Sequence, residues 1–226
     1  MLRLAAATVV LLAAACRDET APPSAAQPQT AAAVAAAPVL PTAFPDPTPV
    51  SAGLSRVELT ASGGRAVDVT IWTAPDERAV VVFSHGHGGR PAAYRRIISA
   101  WTAAGFTVVA PLHVDSMSHP RRDEFDLQRG FIARIEDLAL TRAFIKATHA
   151  GKPLIAAGHS FGSLMSLIEA GALTPAGPRG DPDIRAVVAI SSAGDIPGVI
   201  REQTYAGVTT PLLQVTGDAD LVDGWV

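Results

Sequence analysis

The chain of 226 residues contains a single cysteine, Cys16. An internal disulfide is thereby excluded, as is a cysteine cluster for zinc or iron and sulfur. Charge is scarce too. Asp, Glu, Lys and Arg make up 17% of the residues and the formal net charge is -3, so a broad basic face for nucleic acid cannot be built. Neither G-x-x-x-x-G-K-[ST] nor G-x-G-x-x-G can be read anywhere, which argues against a nucleotide phosphate cradle. The apolar run at residues 4–15 falls short of the ~20 residues a membrane-spanning helix needs. What is abundant is apolar and turn-forming material: 48% hydrophobic residues, 19 Gly and 18 Pro. Disorder along the whole length is therefore excluded, and the length suits one domain with appendages, since domains commonly run ~100–200 residues.

Arg3, the apolar run with Val9, Val10, Leu11 and Leu12, and the small residues Ala13, Ala14 and Ala15 read as a secretory signal over residues 1–15. Cys16 follows the three alanines and precedes Arg17, Asp18 and Glu19, which resembles the lipobox of bacterial lipoproteins. That resemblance implies lipidation at Cys16 and a cell-envelope location on the periplasmic side of a membrane. It departs from the pattern at Ala13, where Leu is usual, and a plain signal peptide cut after Ala15 is the other reading. Residues 21–50 hold ten Ala, eight Pro and one charge, Asp46. Proline at that density denies a helix or a sheet ladder, so residues 16–51 are expected to form an extended tether and residues 52–226 the folded domain.

Within that domain, residues 56–61 and 66–73 alternate apolar and polar side chains across Ser62-Gly63-Gly64, a hairpin signal. Residues 79–83 form a continuous β-branched run, of the kind that suits a strand buried on both faces. Helical spacing follows at residues 92–104, then a strand at 106–110. A polar loop fills residues 111–129, and Phe131, Ile135, Leu138, Ala139, Arg142 and Ile145 mark an amphipathic helix of about five turns. Residues 154–157, 184–190 and 212–215 read as strands and 160–170 as a helix. Strands alternating with helices predict an α/β fold, a mostly parallel sheet covered on both faces, with an antiparallel start. Ligands in such sheets sit at the carboxyl ends of the strands.

Two motifs fall at those ends. Gly158-His159-Ser160-Phe161-Gly162 is a G-x-S-x-G pattern where a strand meets a helix, a turn so sharp that side chains at Gly158 or Gly162 would collide with backbone. It presents the Ser160 hydroxyl at a helix amino terminus, where developing negative charge is favoured. Upstream, Ser84-His85-Gly86-His87-Gly88-Gly89 follows the buried strand. Together the two segments resemble the α/β-hydrolase family, and the wording of the loops looks most like its dienelactone-hydrolase and platelet-activating-factor-acetylhydrolase branch. The resemblance implies a serine esterase needing no cofactor, with Ser160 as nucleophile and the backbone N–H groups of Phe161 and His87 as oxyanion hole. A metal-dependent hydrolase is the rival, in which His85, His87, His113 and Asp115 would hold zinc.

A serine nucleophile needs an imidazole and an orienting carboxylate. Thr216-Gly217-Asp218-Ala219-Asp220-Leu221-Val222 resembles the family's acid turn and points to Asp220, with Asp195 as the alternative. All six histidines, at 85, 87, 113, 119, 149 and 159, precede Asp220. The family places its histidine after the acid, on a loop between a last strand and a final helix, which would take roughly 30 to 60 further residues. The expectation is a truncated chain that lacks its base and one sheet edge and is nearly inactive as it stands. The loop at residues 111–129, with charges of mixed sign, is expected either to wall the pocket or to be solvated surface. Its Arg121 and Arg122 are nearly cancelled by neighbouring acids. The partners implied are a small-molecule ester and, through Cys16, a membrane; a non-catalytic envelope protein that keeps the fold for binding is the reading from another class.

Overall fold

The computed structural model describes residues 40–174, 177–192, 194, 202–218 and 220. All belong to one compact unit, Val34–Val226; the other unit, Met1–Ala33, lies outside the described residues. Cys16 and the predicted signal lie there too, and Asp195 is likewise outside them.

Eight strands form one sheet in the order β1-β2-β3-β5-β4-β6-β7-β8: β1 (Thr48–Ser51), β2 (Leu54–Thr60), β3 (Ala66–Trp72), β4 (Ala79–Ser84), β5 (Phe106–Pro111), β6 (Leu154–His159), β7 (Ile184–Ile190) and β8 (Leu212–Val215). The first three are antiparallel, β2 and β3 being joined across the Ser62–Gly64 turn, and β3 meets β5 antiparallel; β5, β4, β6, β7 and β8 run parallel. The sheet thus begins inside the segment expected to be tether. Thr48 and Pro49 pair with Arg56 and Ser55, because an edge strand offers a place where a residue lacking an N–H is tolerated. Phe44 reaches the core as well, its ring edge-on to Phe144 at 5.7 Å.

β4 explains the layering. All six of its residues are buried, and successive side chains of a strand point to opposite faces. Val80 and Val82 pack with Leu138, Phe144, Met165 and Ile168, whereas Val81 and Phe83 pack with Ile98 and Trp101. The helices α2 (Leu127–Thr148) and α3 (Phe161–Glu169) therefore cover one face and α1 (Arg95–Ala103) the other. Each Val or Phe so buried contributes about 1.5–3 kcal/mol.

From β4 the chain winds to β5 on one side and then crosses to β6 on the other. The crevice for a ligand lies at such a switch point. The parallel register sets Ser84 beside Gly158, Gly158 beside Ala189, and Ile190 beside Val215, which brings the loops after β4, β6, β7 and β8 to one edge.

Candidate active site

At the end of β6 the backbone turns through Ser160 with φ 51° and ψ −119°, a conformation that costs a residue with a side chain ~1–3 kcal/mol. Neighbouring backbone enforces the turn. A Cβ on Gly158 would overlap the Gly162 carbonyl, and one on Gly162 would overlap the carbonyl of Ser84. Ser160 N–H is anchored to the Ile190 carbonyl at 2.9 Å, and Ser160 is half-buried at the first turn of α3.

The loop after β4 lies across from it. Three of its amides are engaged: Gly86 N–H donates to Tyr94 Oη at 3.0 Å, Gly88 N–H to Asp115 Oδ2 at 3.2 Å, and Gly89 N–H to the Gly86 carbonyl at 3.0 Å. Among the described residues the amide of His87 has no acceptor. The Phe161 amide is equally free, as the first N–H of a helix must be. The His87 imidazole stands 6.1 Å from the Phe161 ring, edge-on, so the residues bearing the two free donors are neighbours.

Beneath this loop lies a polar network whose central residue the sequence did not reveal. Its centre is Arg134, on α2 and wholly buried. Its guanidinium donates to Asp115 Oδ1 at 2.7 Å and Oδ2 at 2.8 Å, to the carbonyls of His85 at 2.6 Å and Gly86 at 3.2 Å, and to Ser84 Oγ at 3.2 Å. Burial alone would push the Asp115 carboxyl up, but hydrogen bonds from His87 and Arg134 outweigh it and hold the group well below the usual carboxylate range. His85 Nε2 accepts from His113 N–H at 3.1 Å, which leaves Nδ1–H to donate to the Gly86 carbonyl at 2.8 Å. His113 in turn is sealed between Ser84 Oγ at 3.0 Å and Asp137 Oδ2 at 2.9 Å, and Arg65 donates to the far oxygen of Asp137 at 2.6 Å. Burial pushes Asp137 up to about 6 against the pull of Arg65. Burial and the nearby Arg134 hold His113 well below the ordinary imidazole value, so it is neutral.

The zinc alternative does not survive this arrangement. His85, His87, His113 and Asp115 do gather around the loop, but Arg134 already fills the cation's place among them, and no metal-holding group of three or more such residues exists among the described residues. The loop at residues 111–129 also differs from the expectation of pocket wall or solvated surface. Residues 113–116 are buried, since His113 and Asp115 find partners on α2 and at the end of β4 and Ser116 bonds within the loop, to His113 and Ser118; exposed residues are confined to the later part. There Arg121 is bound to Glu124 at 2.8 Å.

Asp220 lies exposed in the turn after β8. Hydrogen bonds from Ser191 and from Thr216 hold its carboxyl below the usual range, the latter at 3.0 Å. Ser191 is the residue beyond β7, so Asp220 stands at the strand ends near Ser160. The six imidazoles are all described, and none is hydrogen-bonded to Ser160 Oγ. His159 is turned to Tyr94 Oη at 2.9 Å, and His149 lies at the far end of α2, bound to Glu77 at 2.9 Å. Ser160, the amides of Phe161 and His87, and Asp220 thus lie at one edge of the sheet, and no described imidazole is hydrogen-bonded to Ser160 Oγ or to Asp220.

Residues 75–218 match the sequence model of the family described as serine aminopeptidase, S33. Among solved structures, an alpha-beta serine hydrolase homologue from Coxiella burnetii superposes with a TM-score of 0.54 at 18% identity, over 72% of this chain and 73% of that one. A thermostable carboxyl esterase from Bacillus coagulans gives a TM-score of 0.53 at 23% identity, over 64% of this chain and 46% of that one. A cold-adapted esterase from an Arctic intertidal metagenomic library gives 0.53 at 16% identity, over 77% of each. These likenesses establish the fold, and the chain spans less than half the length of the Bacillus coagulans esterase it matches. No curated protein sequence matches it.

Proposed function

Because the chain belongs to the serine aminopeptidase S33 family of α/β hydrolases, we propose that it is a serine hydrolase that cleaves a carboxylic ester through an acyl-enzyme. The carrying observation is the strained backbone of Ser160 at the start of α3, together with the free amides of Phe161 on that helix and of His87 on the loop after β4. Ser160 Oγ attacks the ester carbonyl carbon and gives its proton to a base. The carbonyl oxygen becomes an oxyanion, stabilised by the two N–H donors and by the positive end of α3. Collapse expels the alcohol with that proton, and water then attacks the acyl-serine, releasing the acid and restoring the hydroxyl. Asp220 orients the base, a role that none of the six described imidazoles fills through a hydrogen bond to Ser160 Oγ. The substrate in this reading is a small-molecule ester, and the same parts would hydrolyse a lactone or an amide. Loops alone support the dienelactone-hydrolase-like branch, and the Cys16 pattern alone supports an exported, membrane-tethered enzyme.

The lack of an imidazole at Ser160 favours a second reading, a fold kept for binding without catalysis. One experiment separates the two: the full-length protein, expressed in a bacterial host, is treated with a fluorophosphonate and digested for mass spectrometry. The enzyme reading expects a phosphonyl adduct on the Ser160 peptide, loss of adduct and of nitrophenyl-ester cleavage in Ser160→Ala, and an acylated Cys16 at the mature amino terminus. An unlabelled Ser160 would overturn it, and an unacylated amino terminus would overturn the tether.

A further inference from the structure

We infer that Arg134 is a positioning residue that sets both halves of the oxyanion hole, an inference resting on the hydrolase reading above. In a trans peptide the C=O and the following N–H point in opposite directions. The Gly86 carbonyl is drawn inward by three donors: Arg134 Nη2 at 3.2 Å, His85 Nδ1–H at 2.8 Å and Gly89 N–H at 3.0 Å. The His87 N–H, on the same peptide, must then face outward, away from the guanidinium. The preceding peptide obeys the same logic. Arg134 holds the His85 carbonyl at 2.6 Å, and the Gly86 N–H duly points the other way, to Tyr94 Oη at 3.0 Å. Asp115, clasped by the same guanidinium, accepts from Gly88 N–H and contacts His87 Nδ1 at 3.0 Å, so the loop is gripped on both sides of the amide that matters.

The other half of the hole depends on the same side chain. Arg134 Cζ lies 4.7 Å from the centroid of the Phe161 ring, and Phe131 stacks on that ring at 6.1 Å. Phe161 carries the second oxyanion donor. A single planar cation therefore registers the loop after β4 against the first turn of α3. Lysine could supply the charge but not the fork, for its donors radiate from one point and lack a face to stack.

Arg134→Lys in the full-length enzyme tests this, with rates scaled to active sites titrated by the fluorophosphonate. The expected result is a fall of about tenfold or more in kcat and in the labelling rate of Ser160, as for a displaced oxyanion donor. KM should change less than about twofold, because the defect is in the transition state. Amide hydrogen exchange at residues 85–89 should quicken in the same variant. Arg65→Lys, at the remote end of the network, should lower the melting temperature and leave kcat unchanged. A kcat within about twofold of wild type, or a loss confined to KM or to the amount of folded protein, would overturn the inference. Should Arg134→Lys fail to fold, Asp115→Asn loosens the same grip, and the same rates and exchange measurements support or overturn the inference in the same way. A wild-type protein that is never labelled would sink the hydrolase reading and this inference together; equal labelling of wild type and variant would sink this inference alone.

Discussion

Ser160 occupies backbone angles that a residue with a Cβ adopts only under constraint, and the surrounding carbonyls leave no other course for the chain. Its strain is measurable by comparing two variants that both lack the hydroxyl. Ser160→Ala keeps the strained Cβ, whereas Ser160→Gly removes it. Relief of ~1–3 kcal/mol is partly offset by the ~0.4–1 kcal/mol that glycine's freedom costs through the unfolded chain. Ser160→Gly should therefore be the more stable of the pair by about 1 kcal/mol in urea unfolding. Equal stability would mean that the elbow is not strained. The residues around this turn were legible because their chemistry is local: only glycine fits at 158 and 162. Arg134 was not, because a lone arginine on a helix ordinarily marks the solvent face. The signal that could have found it is its phase, between Ala133 and Leu138, one turn from Asp137 and two from Thr141, all of them inward.

At the scale of elements, every predicted strand and helix of the parallel sheet is present, two strands with the expected bounds and the rest with ends shifted by a few residues, since β-branched runs punctuated by glycine have few alternatives. The inner face of α2 departs from the expected stripe. It combines Leu138 and Ile145 with Arg134, Asp137, Thr141 and Arg142, so apolar spacing alone described only half of it. Arg142 shows what such burial demands. It bonds Glu169 on α3 and reaches Asp181 at 3.0 Å, tying helix to helix. Glu169 is itself buried, with one carboxyl oxygen lacking a partner among the described residues. Removing only the arginine leaves that charge uncompensated, so Arg142→Leu should destabilise by about 3–5 kcal/mol. The double variant with Glu169→Leu should recover much of the loss, because two apolar side chains need no partners. Urea unfolding of the four proteins in the cycle gives the coupling directly, and a double variant as unstable as the sum of the singles would refute this role for the pair.

The whole molecule carries its buried charges as a response to pH. His85 and His113 are held well below the ordinary imidazole value of 6.5, by burial first and then by their cationic or imidazole neighbours. In the unfolded chain both titrate near 6.5. Below that pH the unfolded state binds more protons, and each of these imidazoles erodes stability by up to about 1.4 kcal/mol per pH unit as the solution is acidified. Asp137 and Glu169 have the opposite sign. Burial raises them to about 6 from 3.8 and 4.5, so between the unfolded and folded values the folded state binds the extra protons. Their contribution is fully present below the unfolded value and is lost as the pH rises through about 6. Between about pH 4 and 6 the two groups of residues therefore compensate. Asp137→Asn removes one compensating carboxyl, so its stability should fall with acid more steeply than that of the wild type, by up to about 1.4 kcal/mol per pH unit. Urea midpoints at several values across that interval decide the matter. Parallel curves for the two proteins would mean that Asp137 gives up its proton at its unfolded value and that its burial beside His113 leaves no mark on the titration of the fold.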